Sequence, residues 1–98
     1  MPRLWPIVWS DTAAEDLAEI RDYIARESPR YADVVVSRLY DAVGHLARFP
    51  ESGRIVPELE NPAVREIVRG SYRIVYELRE GRVEISTVFH GSRLFPGG

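Results

Sequence analysis

Two runs of β-branched and aromatic residues, joined by Gly70-Ser71, constrain this sequence more than any other feature. Together they extend from Arg65 to Tyr76. A glycine at the first central position is what a two-residue type II′ hairpin turn requires, because that residue must adopt a positive φ. From Tyr72 onward apolar and polar residues alternate, and a second turn at Glu80-Gly81 leads into another alternating run. The sequence therefore predicts a three-stranded antiparallel meander.

The alternation also predicts how the last two strands pair. With two residues in the second loop, Leu78 faces Val83, and the pairing continues until Tyr72 faces Phe89. One face is then apolar and consists of Tyr72, Ile74, Tyr76, Leu78, Val83, Ile85, Thr87 and Phe89. The opposite face carries Arg73, Val75, Glu77, Glu84, Ser86, Val88 and His90. Arg73 and His90 are therefore expected on one face, in adjacent strands.

Two apolar stripes at helical spacing precede the meander. The first runs from Ala13 to Ile24, after capping candidates at residues 10–12, and the second runs from Ala32 to Phe49. Ser28-Pro29 separates them, and serine followed by proline suits the start of a helix. So short a connection predicts two antiparallel helices.

The remaining segments complete the predicted fold. Residues 3–9 are a strand candidate, in which Pro6 indicates an edge position or a strand that begins just after it. Residues 51–62 are predicted to form an ordered loop. The predicted fold class is α+β in the order β-α-α-β-β-β, with an antiparallel helix hairpin packed on one face of a small, mostly antiparallel sheet. We expect a single domain over residues 1–98, with a tail that is mobile after about residue 94.

Composition limits the classes of function. The net charge is −2, and all 13 basic residues are arginine, so no global basic field attracts nucleic acid. The chain has no cysteine, which excludes thiolate catalysis, and it shows neither zinc-ligand spacing nor a phosphate-binding glycine loop. We therefore expect no metal and no cofactor. No apolar run approaches the roughly 20 residues that span a bilayer, so we expect a cytoplasmic protein without a membrane partner.

Four segments, in this order and spacing, resemble the ParE/RelE toxins of bacterial type II toxin–antitoxin systems. They are Gly53-Arg54-x-Val56-Pro57-Glu58-Leu59, Arg65-Glu66-Ile67, Gly70-Ser71-Tyr72-Arg73-Ile74-Val75-Tyr76 and Val88-x-His90-Gly91-x-Arg93. The resemblance covers the chain from about Val8 to Arg93 and agrees with the predicted order of elements. It implies a plasmid-stabilisation or chromosomal toxin that a small cognate antitoxin holds inactive. It also implies contact with DNA only indirectly, through that antitoxin.

The resemblance implies one of two mechanisms. The RelE-like branch cleaves mRNA in the ribosomal A site with an arginine in the strand that here carries Arg73, sometimes with a glutamate and a histidine. The ParE-like branch poisons DNA gyrase and has no known catalytic residues. The segments around Gly53 and after His90 are more similar to the ParE branch. Leu94 departs from that branch, where an aspartate often follows the final arginine.

If the chain is a nuclease, its candidate catalytic residues are Arg73, His90 and Glu58. Cleavage by attack of a 2′-hydroxyl needs a base, an acid and a cation. Glu58 or Glu66 would be the base, His90 the acid and Arg73 the cation. In the alternative interpretation Arg73 only pairs with Glu66 or Glu77. Because Glu66, Glu77 and Glu84 would repel phosphate from this face, the sequence favours gyrase over the ribosome with mRNA as the target.

The expected antitoxin contacts involve four arginines. Arg54, Arg65, Arg69 and Arg93 are predicted to pair with carboxylates of the antitoxin. The antitoxin segment is expected in the groove beside the helix hairpin or along an open sheet edge. A non-toxic protein-interaction module remains the alternative from a different class, because a fold does not determine a function.

Overall fold

In the computed structural model, which describes residues 3–93 and 95, two helices pack on one face of a mixed five-stranded sheet. The elements are β1 (Ile7–Trp9), α1 (Asp11–Ala25), α2 (Pro29–His45), β2 (Arg54–Ile55), β3 (Val64–Arg69), β4 (Tyr72–Arg79) and β5 (Arg82–His90). The sheet order is β1-β5-β4-β3-β2, and only the pairing of β1 with β5 is parallel. The predicted α+β class and helix hairpin are confirmed. The two-residue β2 adds a strand where the sequence predicted only loop.

Serine caps begin both helices. The Ser10 hydroxyl accepts the Ala13 amide hydrogen at 3.0 Å, and Ser28 does the same for the amide of Tyr31 at 3.2 Å. Pro29 follows as the first residue of α2, as predicted. The second helix is shorter than its apolar stripe, because it ends at His45 and leaves Phe49 exposed. Neither helix is long and apolar enough to cross a membrane, as judged over the described residues.

The sheet has an apolar cluster on each side. The larger lies between the helices and the sheet and contains buried residues of α1, α2, β3, β4 and β5: Ala13, Leu17, Leu39, Ala42, Val43, Leu46, Ile67, Ile74, Tyr76, Val83, Ile85 and Val88. The smaller lies on the open face, which we define as the side of the sheet away from the helices. It contains Val56, Val75 and Phe89, with Val64 and Phe95 packed against it.

A β-bulge in β5 overturns part of the predicted register. Leu78 pairs with Val83 and Tyr76 with Ile85, as predicted, but the register then shifts so that Val75 pairs with Thr87. Beyond the bulge, Val88, Phe89 and His90 therefore lie on the sides opposite to those predicted. Val88 therefore enters the larger core, and Phe89 moves to the open face.

Contacts from the start of α1 explain the bulge. The Ser10 hydroxyl donates to the Ser86 carbonyl oxygen at 2.9 Å. The Asp16 carboxylate accepts both the Thr87 hydroxyl hydrogen at 2.6 Å and the Val88 amide hydrogen at 3.0 Å. Since β1 ends at Trp9, these side chains satisfy backbone groups of β5 that no neighbouring strand reaches.

The predicted mobile tail falls mostly on residues that are not described. Residues 94 and 96–98 lie outside the described part of the chain. Phe95 packs edge-on against Phe89, with ring centroids 5.9 Å apart.

Candidate functional site

Arg73 is enclosed by carboxylates on the open face. Its Nε donates to Glu66, and its Nη1 and Nη2 donate to the two oxygens of Glu58, both at 3.0 Å. The second oxygen of Glu66 accepts a hydrogen bond from Arg54 Nε at 2.7 Å. We refer to Arg54, Glu58, Glu66 and Arg73 as the Arg73 cluster. The predicted pairing of Arg73 with Glu66 is confirmed, whereas Glu77 pairs with Arg79 instead.

Three strands and one loop assemble the cluster. Arg54 of β2 lies directly across from Glu66 of β3, and Arg73 comes from the next strand, β4. Glu58 comes from the loop that follows β2. Glu66 is only 1% exposed, so its charge requires the two arginines that contact it. Arg73 is nearly as enclosed, with 12% of its side chain exposed, whereas Glu58 remains 38% exposed.

Two phenylalanines fix the plane of the Arg73 guanidinium. Its central carbon lies 5.2 Å from the ring centroid of Phe89 and 5.5 Å from that of Phe95. Contacts of this kind are favourable because the ring face is electron-rich. Phe89 takes this position only because the bulge places it on the open face. The guanidinium is therefore bound by a buried carboxylate and contacts two aromatic rings.

The charges of the Arg73 cluster balance. The hydrogen bonds that Arg73 donates to Glu58 and Glu66 raise the pKa of Arg73 further above its ordinary value. The hydrogen bond from Arg73 lowers the pKa of Glu58 below its ordinary value, so Glu58 is ionised at neutral pH. Two arginines and two glutamates give a formal charge of zero. A phosphate would have to displace Glu58 before Arg73 could bind it.

His90 lies on the helix side of the sheet, away from the Arg73 cluster. Its ring packs edge-on against Tyr72, with centroids 5.5 Å apart, and its Nδ1 accepts the Ser92 amide hydrogen at 3.1 Å. The expectation that Arg73 and His90 share a face is therefore wrong, because the bulge reverses the end of β5. Of the three catalytic candidates, the structure brings together Arg73 and Glu58 and leaves His90 apart.

The four arginines expected to bind the antitoxin do not form one patch. Arg54 is engaged by Glu66 within the chain. Arg65 donates to the Gly53 carbonyl at 3.0 Å and to the Pro62 carbonyl at 3.1 Å, and so binds the chain just before β2 and the end of the loop between β2 and β3. Arg69 and Arg93 are exposed and lie in two different grooves. Their role in binding stays a prediction.

These two grooves flank Tyr72 on the helix side of the sheet. The α2 groove is lined by Tyr31, Val35, Arg38, His45, Arg69 and Tyr72, among others. The α1 groove is lined by Asp16, Ile20, Tyr23, Tyr72, His90 and Arg93, among others. Burial raises the pKa of the Tyr72 hydroxyl, and the nearby Tyr31 and Tyr23 raise it by a smaller amount. Aromatic side chains therefore line both grooves: Tyr31 and Tyr72 in the α2 groove, and Tyr23 and Tyr72 in the α1 groove.

Tyr23 and Tyr31 were not among the candidate binding residues predicted from the sequence. Both lie outside the apolar stripes of their helices, and Tyr23 is 71% exposed. A large aromatic side chain on the polar side of an amphipathic helix is the signal that would have identified them, because exposed aromatic surface marks sites of protein contact.

Comparison with known proteins agrees with this architecture. The family model described as the ParE toxin of the type II toxin–antitoxin system parDE matches residues 7–95. The chain therefore belongs to this family of type II toxins within the ParE/RelE group, which confirms the resemblance seen in the sequence.

Curated relatives support the same assignment. The chain is 39% identical over 89 residues to Toxin RelE2 of Caulobacter vibrioides, an alignment that covers 90% of this chain and 97% of the relative. It is 36% identical over 91 residues to Putative toxin Y4kP of Sinorhizobium fredii, with 92% of each chain covered.

Two solved structures share the fold. A chain of the chromosomal ParDE system from P. aeruginosa superposes with a TM-score of 0.73 at 23% identity, covering 90% of this chain and 97% of the other. A chain of the toxin–antitoxin complex RelBE2 from Mycobacterium tuberculosis gives a TM-score of 0.60 at 26% identity, with coverages of 89% and 98%. Names from both branches therefore occur among the similar proteins.

Proposed function

We propose that this chain inhibits bacterial growth by poisoning DNA gyrase and that a cognate antitoxin neutralises it. The observation that carries the choice of gyrase is the pairing of Arg73, the candidate catalytic cation, with Glu58 and Glu66. An arginine that already has two carboxylate partners is poorly suited to stabilise the charge that develops on a phosphorane.

The surroundings of Arg73 add to this argument. Glu77 and Glu84 lie opposite each other on β4 and β5 and pair with Arg79 and Arg82, so charges of both signs continue along the sheet beyond the cluster. His90, the candidate acid, lies on the other side. Approach to ribosome-bound mRNA is driven by cations that neutralise phosphates, whereas this chain has a net charge of −2. Inhibition through a protein–protein contact has no such requirement, and mixed charge with exposed aromatic residues suits it.

The proposed antitoxin would occupy the two grooves beside Tyr72. The solved structures with this fold come from a ParDE system and from a RelBE2 toxin–antitoxin complex, which motivates a partner of the same kind. Exposed Tyr23 and Tyr31 offer apolar contact area, and Arg69 and Arg93 offer charges for carboxylates at the rims. We expect an amphipathic segment that carries acidic residues.

Growth measurements test whether the chain is a toxin. We expect induction of the chain alone to arrest bacterial growth, and co-expression with the antitoxin to restore it. Unimpaired growth, with soluble folded protein in the cells, would instead favour a non-toxic interaction module.

A second candidate function is ribosome-dependent mRNA cleavage. The specific observation in its favour is the 39% identity to a protein named Toxin RelE2. Purified chain in a gyrase supercoiling assay, run beside a cleavage assay with ribosome-bound mRNA, separates the two. We expect supercoiling to stop and the mRNA to stay intact, and cleaved mRNA with active gyrase would replace the proposal by its alternative.

A further inference from the structure

We propose that the outer edge of the Arg73 guanidinium is an exchangeable carboxylate-binding site. Glu58 occupies this site in the isolated chain, and in the complex an aspartate or glutamate takes its place, supplied by a part of the antitoxin that extends past the grooves onto the open face. The inference rests on the proposed function only in that the occupant comes from the antitoxin. It adds Arg73 to Arg54, Arg65, Arg69 and Arg93, the arginines predicted to pair with that partner, and Glu58 then occupies the site only until the partner binds.

The site is preorganised without Glu58. The Nε edge of Arg73 is fixed by Glu66, and the guanidinium packs against Phe89 and Phe95. These contacts leave Nη1 and Nη2, the two nitrogens that Glu58 binds, in a fixed orientation. A planar fork of two N–H donors matches both oxygens of one carboxylate, and such bidentate pairs combine strength with geometric specificity.

Of the two carboxylates that bind Arg73, Glu58 is the one that can exchange. It lies in the loop between β2 and β3, and both Leu59 and Glu60 beside it are exposed. The amides of Leu59 and Glu60 both bond to the carbonyl of the buried Val56, so the loop is anchored at its base. Glu60 also adopts a φ of 51°, a conformation that L-residues rarely favour. Glu58 is 38% exposed and Glu66 is fully enclosed, so Glu58 is the partner of Arg73 that water and a competing carboxylate can reach.

Charge and surface character favour a protein carboxylate as the occupant. When Glu58 leaves, Arg54 and Arg73 against Glu66 give a formal charge of +1, which one carboxylate neutralises. A phosphodiester would match that charge as well, so the choice of a protein carboxylate rests on the apolar surface beside the site. Val68 lies directly across from Arg73 and is 48% exposed, so an apolar residue of a peptide next to the acid finds a contact there.

The experiment titrates purified variants with acetate, the simplest carboxylate. Glu58→Ala removes the internal occupant, and Glu58→Gln removes its charge while keeping its shape, so that one of the two reports even if the other folds poorly. At constant ionic strength, the NMR signal of the Arg73 Nε–H follows binding. We expect a saturable shift with an apparent Kd at least about tenfold tighter in both variants than in the wild-type chain, because Glu58 no longer competes.

Glu80→Ala is the matched control. It also removes an exposed glutamate that pairs with an arginine, Arg82, at 3.2 Å, but Arg82 packs in no comparable enclosure and keeps Glu84 as a partner. We expect no saturable acetate shift at Arg82 in that variant.

Three results would overturn the proposal. They are the absence of saturable acetate binding in both Glu58 variants, equal binding at Arg82 in Glu80→Ala, and tighter binding of inorganic phosphate than of acetate. The last result would indicate a nucleic-acid phosphate as the occupant. Because neither gyrase nor antitoxin is present, a failed titration overturns this site alone, and a failed supercoiling assay leaves it intact.

Discussion

Glu66 is a carboxylate enclosed in the sheet, and Arg73, which is also largely buried, depends on it. Removing one member of a buried ion pair leaves the other charge without compensation. We therefore expect Glu66→Ala to lower the free energy of unfolding by about 3–5 kcal/mol. Urea denaturation measures this loss, with Glu80→Ala as a control that should change it by about 0–1 kcal/mol. Equal losses in the two variants would show that the Arg73 cluster contributes nothing to stability.

Gly53 and Gly44 offer a contrast between two glycines. A Cβ at Gly53 would lie 2.5 Å from the Tyr76 hydroxyl and 2.6 Å from the Glu66 carbonyl oxygen, whereas one at Gly44 would meet nothing within 4 Å. Tyr76 donates its hydroxyl hydrogen to the Pro50 carbonyl at 2.8 Å and accepts the Gly53 amide hydrogen at 2.9 Å, so the loop has little room to shift.

We predict opposite effects at these two positions. Gly53→Ala should destabilise the chain by roughly 1–3 kcal/mol through the steric clash. Gly44→Ala, in α2, should stabilise it by about 0.5–1 kcal/mol, because alanine favours the helix. Thermal unfolding of both variants tests this, and a loss of stability at Gly44 or none at Gly53 would contradict it.

Glu58 links the stability of the fold to pH. Its pKa is lowered in the folded chain by Arg73, so the ion pair stabilises the fold fully at pH values above its ordinary pKa of 4.5. That contribution is lost as the pH falls below 4.5 and through the lower pKa of the folded state. We expect the wild-type chain to lose stability over this range more steeply than Glu58→Gln. Parallel pH profiles of unfolding would contradict the assigned pairing.

At the scale of elements, the bulge in β5 depends on α1. Asp16 accepts hydrogen bonds from the Thr87 hydroxyl and the Val88 amide, so Asp16→Ala should lower the free energy of unfolding by about 1–3 kcal/mol. It should also speed amide hydrogen exchange at Val88. Asp22→Ala, an exposed change on the same helix, is the control. Unchanged exchange at Val88 in Asp16→Ala would show that α1 does not hold the bulge.

The bulge in β5 is the part of the fold that the sequence did not predict. Local rules were enough for the two-residue turns at Gly70 and Gly81 and for the helix that begins at Pro29, because neighbouring residues decide them. The bulge was not predicted, since it depends on Asp16, which lies 72 residues before Val88. The adjacent apolar pair Val88 and Phe89 was the available signal, because a regular one-sided strand does not bury both.

The candidate site was likewise predicted only in part from the sequence. From the sequence, Arg73 was a candidate that either acts in catalysis or pairs with Glu66 or Glu77, since strand alternation placed all three on one face, and the structure selects Glu66 as its partner. The sequence could not predict that Glu58 binds the two outer nitrogens of Arg73, because that contact depends on the path of the loop after β2. Nor could it place His90, whose side of the sheet is set by the bulge.

At the scale of the whole molecule, charge argues against a nucleic-acid target. The net charge is −2, and Arg73, which is largely buried on the open face, is neutralised within the chain. If the chain acts on a protein instead, its inhibition should depend only weakly on salt, because few counterions are released on binding. We expect supercoiling inhibition to persist between about 50 and 200 mM salt, the range over which a phosphate-binding protein loses affinity steeply. A loss of inhibition of about a thousandfold in that range would contradict this account.

The most direct test of a non-catalytic Arg73 removes it without leaving its buried partner unpaired. The double variant Glu66→Leu with Arg73→Met replaces both charges by apolar side chains, a change that is often nearly neutral for stability. Circular dichroism establishes that it is folded, and wild type and variant are then compared in the supercoiling and mRNA-cleavage assays. We predict that both inhibit gyrase with potencies within about tenfold of each other, a difference of about 1.4 kcal/mol, and that neither cuts mRNA. Cleavage of A-site mRNA by the wild-type chain, lost in the folded double variant while gyrase stays active with both, would contradict the account.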